Sequence, residues 1–168
     1  MHPLCWDSNF NYHIKKMKKN KFFVMLCALA GACSSPSKDI TAPEILPQGD
    51  YASPVNCQTF ERGTYLPFAY AFSDDVELGS YNLEIHSNFD HHTHSTEAGE
   101  CQHEPVKKPV NAWIFNQSYE IPAGSTVFEA SHSISIPEDI DPGEYHFMIR
   151  VTDASGWQEI KSVAIRIL

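Results

Sequence analysis

The strongest constraint on the fold is an alternation of apolar and polar residues that recurs in short segments and never settles into a helical period. In the segment 65–73, Leu66, Phe68, Tyr70 and Phe72 share one face, while Pro67, Ala69 and Ala71 share the other. Asp74-Asp75 then turns the chain. Over residues 78–88 the alternation resumes, with Tyr81, Leu83 and Ile85 toward a core and Asn82, Glu84 and His86 away from it. Residues 128–136 place Phe128, Ala130, His132, Ile134 and Ile136 on one face, and Pro137-Glu138-Asp139 ends that run. Over residues 145–152, Tyr145, Phe147, Ile149 and Val151 point inward, while His146, Met148 and Arg150 point outward. A turn at Asp153-Ala154-Ser155-Gly156 leads into a closing segment, 158–168. Period two is the signature of a strand with one buried face, and Pro/Gly/Asp clusters are turn formers. Two weaker candidates complete the set. Residues 112–115 are a short apolar run around Trp113, and residues 39–57, with Pro43, Pro47 and Pro54, suit an edge strand or an ordered lead-in. The pattern predicts an all-β antiparallel sandwich of about seven strands.

One stretch does not belong to this pattern. Five of the nine histidines, His86, His91, His92, His94 and His103, fall within residues 86–104, together with Asp90, Glu97, Glu100 and Glu104. Imidazole nitrogens and carboxylate oxygens are the donors that zinc, copper and nickel take. No lysine or arginine interrupts the run. His132 is a different case. It shares a face with Ile134 and Ile136, so a core histidine with an internal hydrogen bond is expected there.

The chain begins with an address. Residues 17–32 have a basic start, a short apolar stretch and small residues before Cys33, the layout of a secretory signal peptide. The apolar run is too short to span a bilayer. Leu29-Ala30-Gly31-Ala32-Cys33 resembles a bacterial lipobox, which implies lipidation of Cys33; plain cleavage after Ala32 is the alternative. Residues 33–42 then read as lipidated cysteine and tether, and residues 1–16 as an upstream extension before a natural start at Met17. From Cys33 onward, seven basic residues face twenty acidic ones, a net of −13. That excludes a nucleic-acid partner, because no basic face is available for phosphate. Of the five cysteines, Cys57 and Cys101 remain once the leader and the anchor are set aside. In an exported protein they are expected to form a disulfide, with thiolate ligation of a metal as the other reading.

The most fold-specific stretch is 141–156, with Gly143-Glu144-Tyr145 opening a strand and Asp153-Ala154-Ser155-Gly156 closing it. It resembles the F strand and F–G turn of bacterial immunoglobulin-like domains. That resemblance implies that Tyr145 is the corner tyrosine whose hydroxyl bonds back to the main chain. It also makes residues 65–73, 78–88, 128–136 and 158–168 strands B, C, E and G. The chain over residues 39–168 further resembles a family of uncharacterised Bacteroidetes lipoproteins, a domain of unknown function. The residues that carry this are the lipobox, Ile85-His86-Ser87-Asn88-Phe89-Asp90-His91-His92-Thr93-His94 and Gly143-Glu144-Tyr145-His146-Phe147. Trp157 after Gly156 departs from the asparagine that often follows such turns. The expected domain is 43–168, an immunoglobulin-like sandwich carrying a histidine-rich loop at 86–104.

In such a sandwich strands C and F are neighbours, so His86 and His146, both outward, come within reach of one metal. A His-x-His pair in extended chain projects both rings to one side, which adds His92 and His94. The expected ligands are therefore His86, His92, His94 and His146, for zinc or copper. Asp90, His91, His103 and Glu84 are expected as further ligands or as partners that orient the rings. Asp74, Asp75, Asp139, Asp141 and Asp153 offer the donors of a calcium site of the adhesion-domain type, but they lack regular spacing, and turn formation explains them equally well.

The function expected is a lipid-anchored metal-binding protein of the cell envelope, for acquisition, buffering or delivery. The tether lacks an acidic run, which favours an outer-membrane position facing the periplasm. A structural or adhesion module with at most a structural metal is the first alternative. An enzyme with an open histidine site is the second, and it has no HExxH helix, nucleophile elbow or phosphate loop to support it. The protein partner stays open.

Overall fold

The computed structural model describes residues 38–92 and 101–168. The upstream extension, the signal peptide, Cys33, His94 and Glu97 lie outside the described residues. Eight strands follow in chain order: β1 (Glu44–Pro47), β2 (Gln58–Phe60), β3 (Tyr65–Ser73), β4 (Leu78–Ser87), β5 (Phe115–Glu120), β6 (Val127–Ser135), β7 (Gly143–Asp153) and β8 (Gln158–Ile167). They form a three-stranded sheet, β1-β3-β6, and a five-stranded sheet, β2-β8-β7-β4-β5. This is the all-β sandwich the alternation predicts, with eight strands in place of about seven. One pair departs from antiparallel order, since β2 runs parallel to β8. Among the described residues no helix is long and apolar enough to cross a membrane.

The inward faces are those read from the sequence. Leu66, Phe68 and Phe72 of β3, Leu83 and Ile85 of β4, and Tyr145, Phe147, Ile149 and Val151 of β7 are all buried. Two inner faces interleave to make the core of such a sandwich, about 10 Å thick. Tyr145 fastens one end of it. Its hydroxyl donates to the Asp141 carbonyl (2.6 Å) and accepts from the Trp113 amide (3.2 Å). This is the corner tyrosine, with its acceptor four residues upstream.

Two expectations need adjustment, and a third is met. The apolar run 112–115 is not itself a strand. Trp113 is buried in the core, and the strand that follows, β5, is a polar edge strand. Residues 39–57 do contain an edge strand, β1, which pairs with β3. The domain also begins before residue 43. Asp39 is buried, and the Trp157 indole donates to its carbonyl (3.3 Å), so the end of the expected tether is docked on the β7–β8 turn. Trp157, the departure noted in that turn, thus has a structural use.

His132 behaves as its face suggests. Its ring stacks on Tyr119 with centroids 4.2 Å apart, and Nε2 is hydrogen-bonded with the Tyr81 hydroxyl. Burial lowers the His132 pKa and pushes the Tyr81 phenol up to about 12, so a neutral imidazole pairs with a protonated phenol.

Candidate metal site

β4 and β7 are antiparallel neighbours, and their register sets His86 directly opposite His146. Paired residues in such a ladder have Cα atoms about 4.5–5.5 Å apart, close enough for two rings to share one ion. Both side chains leave the core face, as the alternation requires. After Ser87 the chain folds back over the start of β7. The Asn88 amide donates to the Glu144 carbonyl (2.8 Å), and Phe89 buries its ring edge-on to Tyr145, centroids 5.3 Å apart. This cover explains why His146, on the outer face of its sheet, is only 2% exposed.

The fold-back brings in a third ring. The His86–His92, His86–His146 and His92–His146 centroids are 5.5, 5.5 and 5.2 Å apart. Zinc–nitrogen bonds of about 2.0–2.1 Å, extended by half a ring, put imidazole centroids around a tetrahedral ion roughly 5 Å apart. The observed triangle is close to that spacing.

Hydrogen bonds select which nitrogen each ring offers. His86 donates through Nδ1 to Glu84 Oε1 (3.1 Å), and His92 donates through Nδ1 to Asp90. With Nδ1 so held, Nε2 is the nitrogen through which each ring would bind an ion. A carboxylate on the far nitrogen fixes ring orientation and raises ligand basicity, the usual support of a histidine metal site. Glu84 and Asp90 therefore occupy the orienting positions. The His92 ring beside it holds the Asp90 carboxyl below the usual carboxylate range. His146 donates through Nε2 to the His92 carbonyl (3.0 Å).

His91 and His103 go elsewhere. His91 has a left-handed backbone (φ 58°), and its ring approaches Glu144 and His103. The His91 and His103 rings lie tilted against each other, centroids 4.7 Å apart, and both approach Glu144, two residues before His146. One donor atom from each of His91, His103 and Glu144 lies within 4.8 Å of the others, a spacing an ion can use. Glu144 is already well engaged. His103 donates to Oε2 (2.9 Å), the Glu104 amide donates to Oε1 (2.5 Å), and Arg166 stands 3.7 Å from Oε1. Burial pushes this carboxyl up, but the His103 hydrogen bond, the Glu104 amide and the two imidazoles outweigh it, and its pKa ends below the ordinary value. The group acts as a charged latch that closes the second half of the loop onto β7.

The same half of the loop is tied covalently. Cys57 and Cys101 form a disulfide, with Cα atoms 5.4 Å apart. It joins the lead into β2 to the residue two places before His103. A cleft of about 160 Å³ opens beside it, against His103, Glu144 and Arg166.

With this geometry described, likeness to known proteins can be set against it. A family profile described as a domain of unknown function, DUF4625, matches residues 31–168. The chain belongs to the DUF4625 family. A crystal structure of a DUF4466 family protein from Parabacteroides merdae is similar at 12% identity and a TM-score of 0.43, over 74% of this chain and 44% of that one. The chain thus spans less than half the length of that protein. No curated protein matches.

Within this DUF4625 domain, the sequence's four expected ligands divide simply. His86, His92 and His146 are brought together, and His94 lies outside the described residues. Glu84 and Asp90 hold rings of that cluster, whereas His91 and His103 gather on Glu144. Sequence reasoning missed Glu144. The signal was present, because Glu144 and His146 are two apart on one strand and share its outer face.

Proposed function

We propose that this DUF4625 protein is a lipid-anchored metal-binding protein of the bacterial cell envelope. It holds zinc or copper through His86, His92, His94 and His146, and serves acquisition, buffering or delivery of the ion. The observation that carries this reading is the convergence of three imidazoles from two strands and a loop, at a spacing suited to one ion, with Nδ1 of two rings held by carboxylates. The anchor rests on the lipobox-like sequence ending at Cys33, and mass spectrometry of the membrane fraction tests it by looking for acyl chains on that cysteine.

The metal is zinc or copper(II), because nitrogen donors suit both; tetrahedral arrangement favours the first and a flatter one the second. Bound metal would draw the loop's histidines onto β4 and β7. The loop is also fastened without any ion, by buried Phe89, the Glu144 latch and the disulfide. That favours reversible binding over a purely structural metal. His92→Ala distinguishes the two. It should abolish binding and leave the circular-dichroism spectrum and melting transition of the metal-free protein unchanged. Unfolding of that variant would instead assign the ion to structure. Protons compete for imidazole, so affinity should fall as pH drops below about 6.5. A titration between pH 5 and 8 that shows constant affinity would contradict the ligand set.

A further inference from the structure

The far end of β7 carries a second kind of chemistry, unrelated to the histidines. Asp39 lies in the lead-in before β1, Asp74 in the turn between β3 and β4, and Asp153 at the last position of β7. They are far apart in sequence, yet one carboxylate oxygen of each lies within 4.8 Å of the others. Asp39 and Asp153 are 9% and 4% exposed.

Each carboxylate has one oxygen committed to a local turn. The Thr41 amide donates to Asp39 Oδ1 (3.1 Å), and the Trp157 amide donates to Asp153 Oδ1 (2.8 Å). The Val76 and Glu77 amides donate to Asp74 Oδ1 (2.9 and 2.7 Å). These turns fix the orientation of all three groups. The second oxygen, Oδ2, of each is buried and has no hydrogen-bond partner. Among the described residues no cationic side chain forms an ion pair with any of them.

Burying a carboxylate oxygen without a partner is costly. Three that face one another add like-charge repulsion. Such an arrangement is stable when a cation sits among them. The donors are all oxygen, which suits a hard ion, and the set contains no nitrogen or sulfur to favour a transition metal. Calcium takes 6–8 oxygens at about 2.3–2.6 Å in flexible geometry, and main-chain carbonyls and water complete its shell readily. Magnesium demands a tighter octahedron and sheds its water reluctantly.

We infer that Asp39, Asp74 and Asp153 form a calcium site that clamps the N-terminal lead-in to both sheets. Asp74 follows a strand of the three-stranded sheet, and Asp153 ends a strand of the five-stranded one. The ion ties the two layers together at the point where the chain enters the domain. Trp157, whose indole holds the Asp39 carbonyl, flanks it. His146 and Asp153 are seven positions apart on one strand, roughly 23 Å, so this site and the imidazole cluster are independent. The sequence offered Asp74 and Asp153 among its turn aspartates. Asp39 supplies the third ligand, and only the fold brings it there.

The test is thermal unfolding of the full chain, stripped with a chelator and then titrated with calcium or magnesium chloride. An extracellular-type site has a Kd of about 10⁻⁴–10⁻³ M, so about 10 mM calcium should raise Tm by several degrees, with a much smaller effect from magnesium. Asp74→Asn and Asp153→Asn keep the Oδ1 acceptor of each turn and remove one charge. Both should weaken calcium binding at least about tenfold by calorimetry. Both should also melt higher than wild type without calcium, because repulsion is relieved. His92→Ala should respond to calcium as wild type does. Absence of a calcium shift, an equal shift with magnesium, or a shift retained in both aspartate variants would overturn the assignment.

Discussion

At the scale of single residues, the account rests on side chains whose polar atoms are accounted for one by one. Tyr145 is the simplest. Its hydroxyl bridges the Asp141 carbonyl and the Trp113 amide inside the core. Tyr145→Phe strands both main-chain groups and should lower stability by about 1–3 kcal/mol in urea unfolding, without changing the m value. An unchanged midpoint would show that the corner bond contributes nothing. His132 makes a pH prediction. Burial lowers its pKa in the folded protein, so between the folded value and the unfolded value near 6.5 the unfolded chain binds more protons. Its contribution is therefore intact above pH 6.5 and is lost as pH falls through that value. In metal-free protein, wild type should lose stability between pH 7 and 5 more steeply than His132→Asn; identical slopes would remove His132 as the cause. These residues also show where sequence reading works. Tyr145 and His132 sit on regular strands, where alternation fixes the face. Glu144 obeyed the same alternation and went unremarked because its histidine partners, His91 and His103, come from a loop whose path has no period. His91 in particular takes a left-handed backbone that nothing in its side chain announces.

At the scale of elements, β3, β4, β6, β7 and β8 are legible because each carries an apolar stripe on the face it turns to the core. β5 is not, since as a polar edge strand it lacks an apolar stripe, and the neighbouring apolar run belongs to buried Trp113 instead. β2 is too short, at three residues, for any period to register. The loop between β4 and β5 is where local pattern gives way to long-range ties. Cys57 and Cys101 are 44 residues apart, and on chain entropy such a cross-link contributes up to about 4 kcal/mol. The pair Cys57→Ser with Cys101→Ser should therefore lower Tm clearly. It should also weaken metal affinity by less than His92→Ala does, because the β4–β7 register that sets His86 against His146 does not depend on the disulfide. Calorimetry on the reduced-loop variant decides this. Total loss of binding would mean that the bond, and not the register, assembles the site.

At the scale of the whole molecule, one strand organises everything. β7 packs in the centre of the five-stranded sheet, offers His146 and Glu144 to the folded-back loop at its start, and ends in Asp153 among the buried carboxylates. The fold follows from hydrophobic alternation and turn chemistry, and the sequence carries both openly. The sites follow from which outward residues the loops cover, and that depends on contacts between distant segments. Membership of the DUF4625 family fixes the kind of domain and leaves its chemistry to these residues. The direct test of that chemistry is metal content by mass spectrometry, on protein purified without a histidine tag and equilibrated with zinc and with copper. The account expects about one equivalent of one of these metals, lost in both His92→Ala and His146→Ala while each variant stays folded. No stoichiometric zinc or copper, or metal that survives both substitutions, would contradict it.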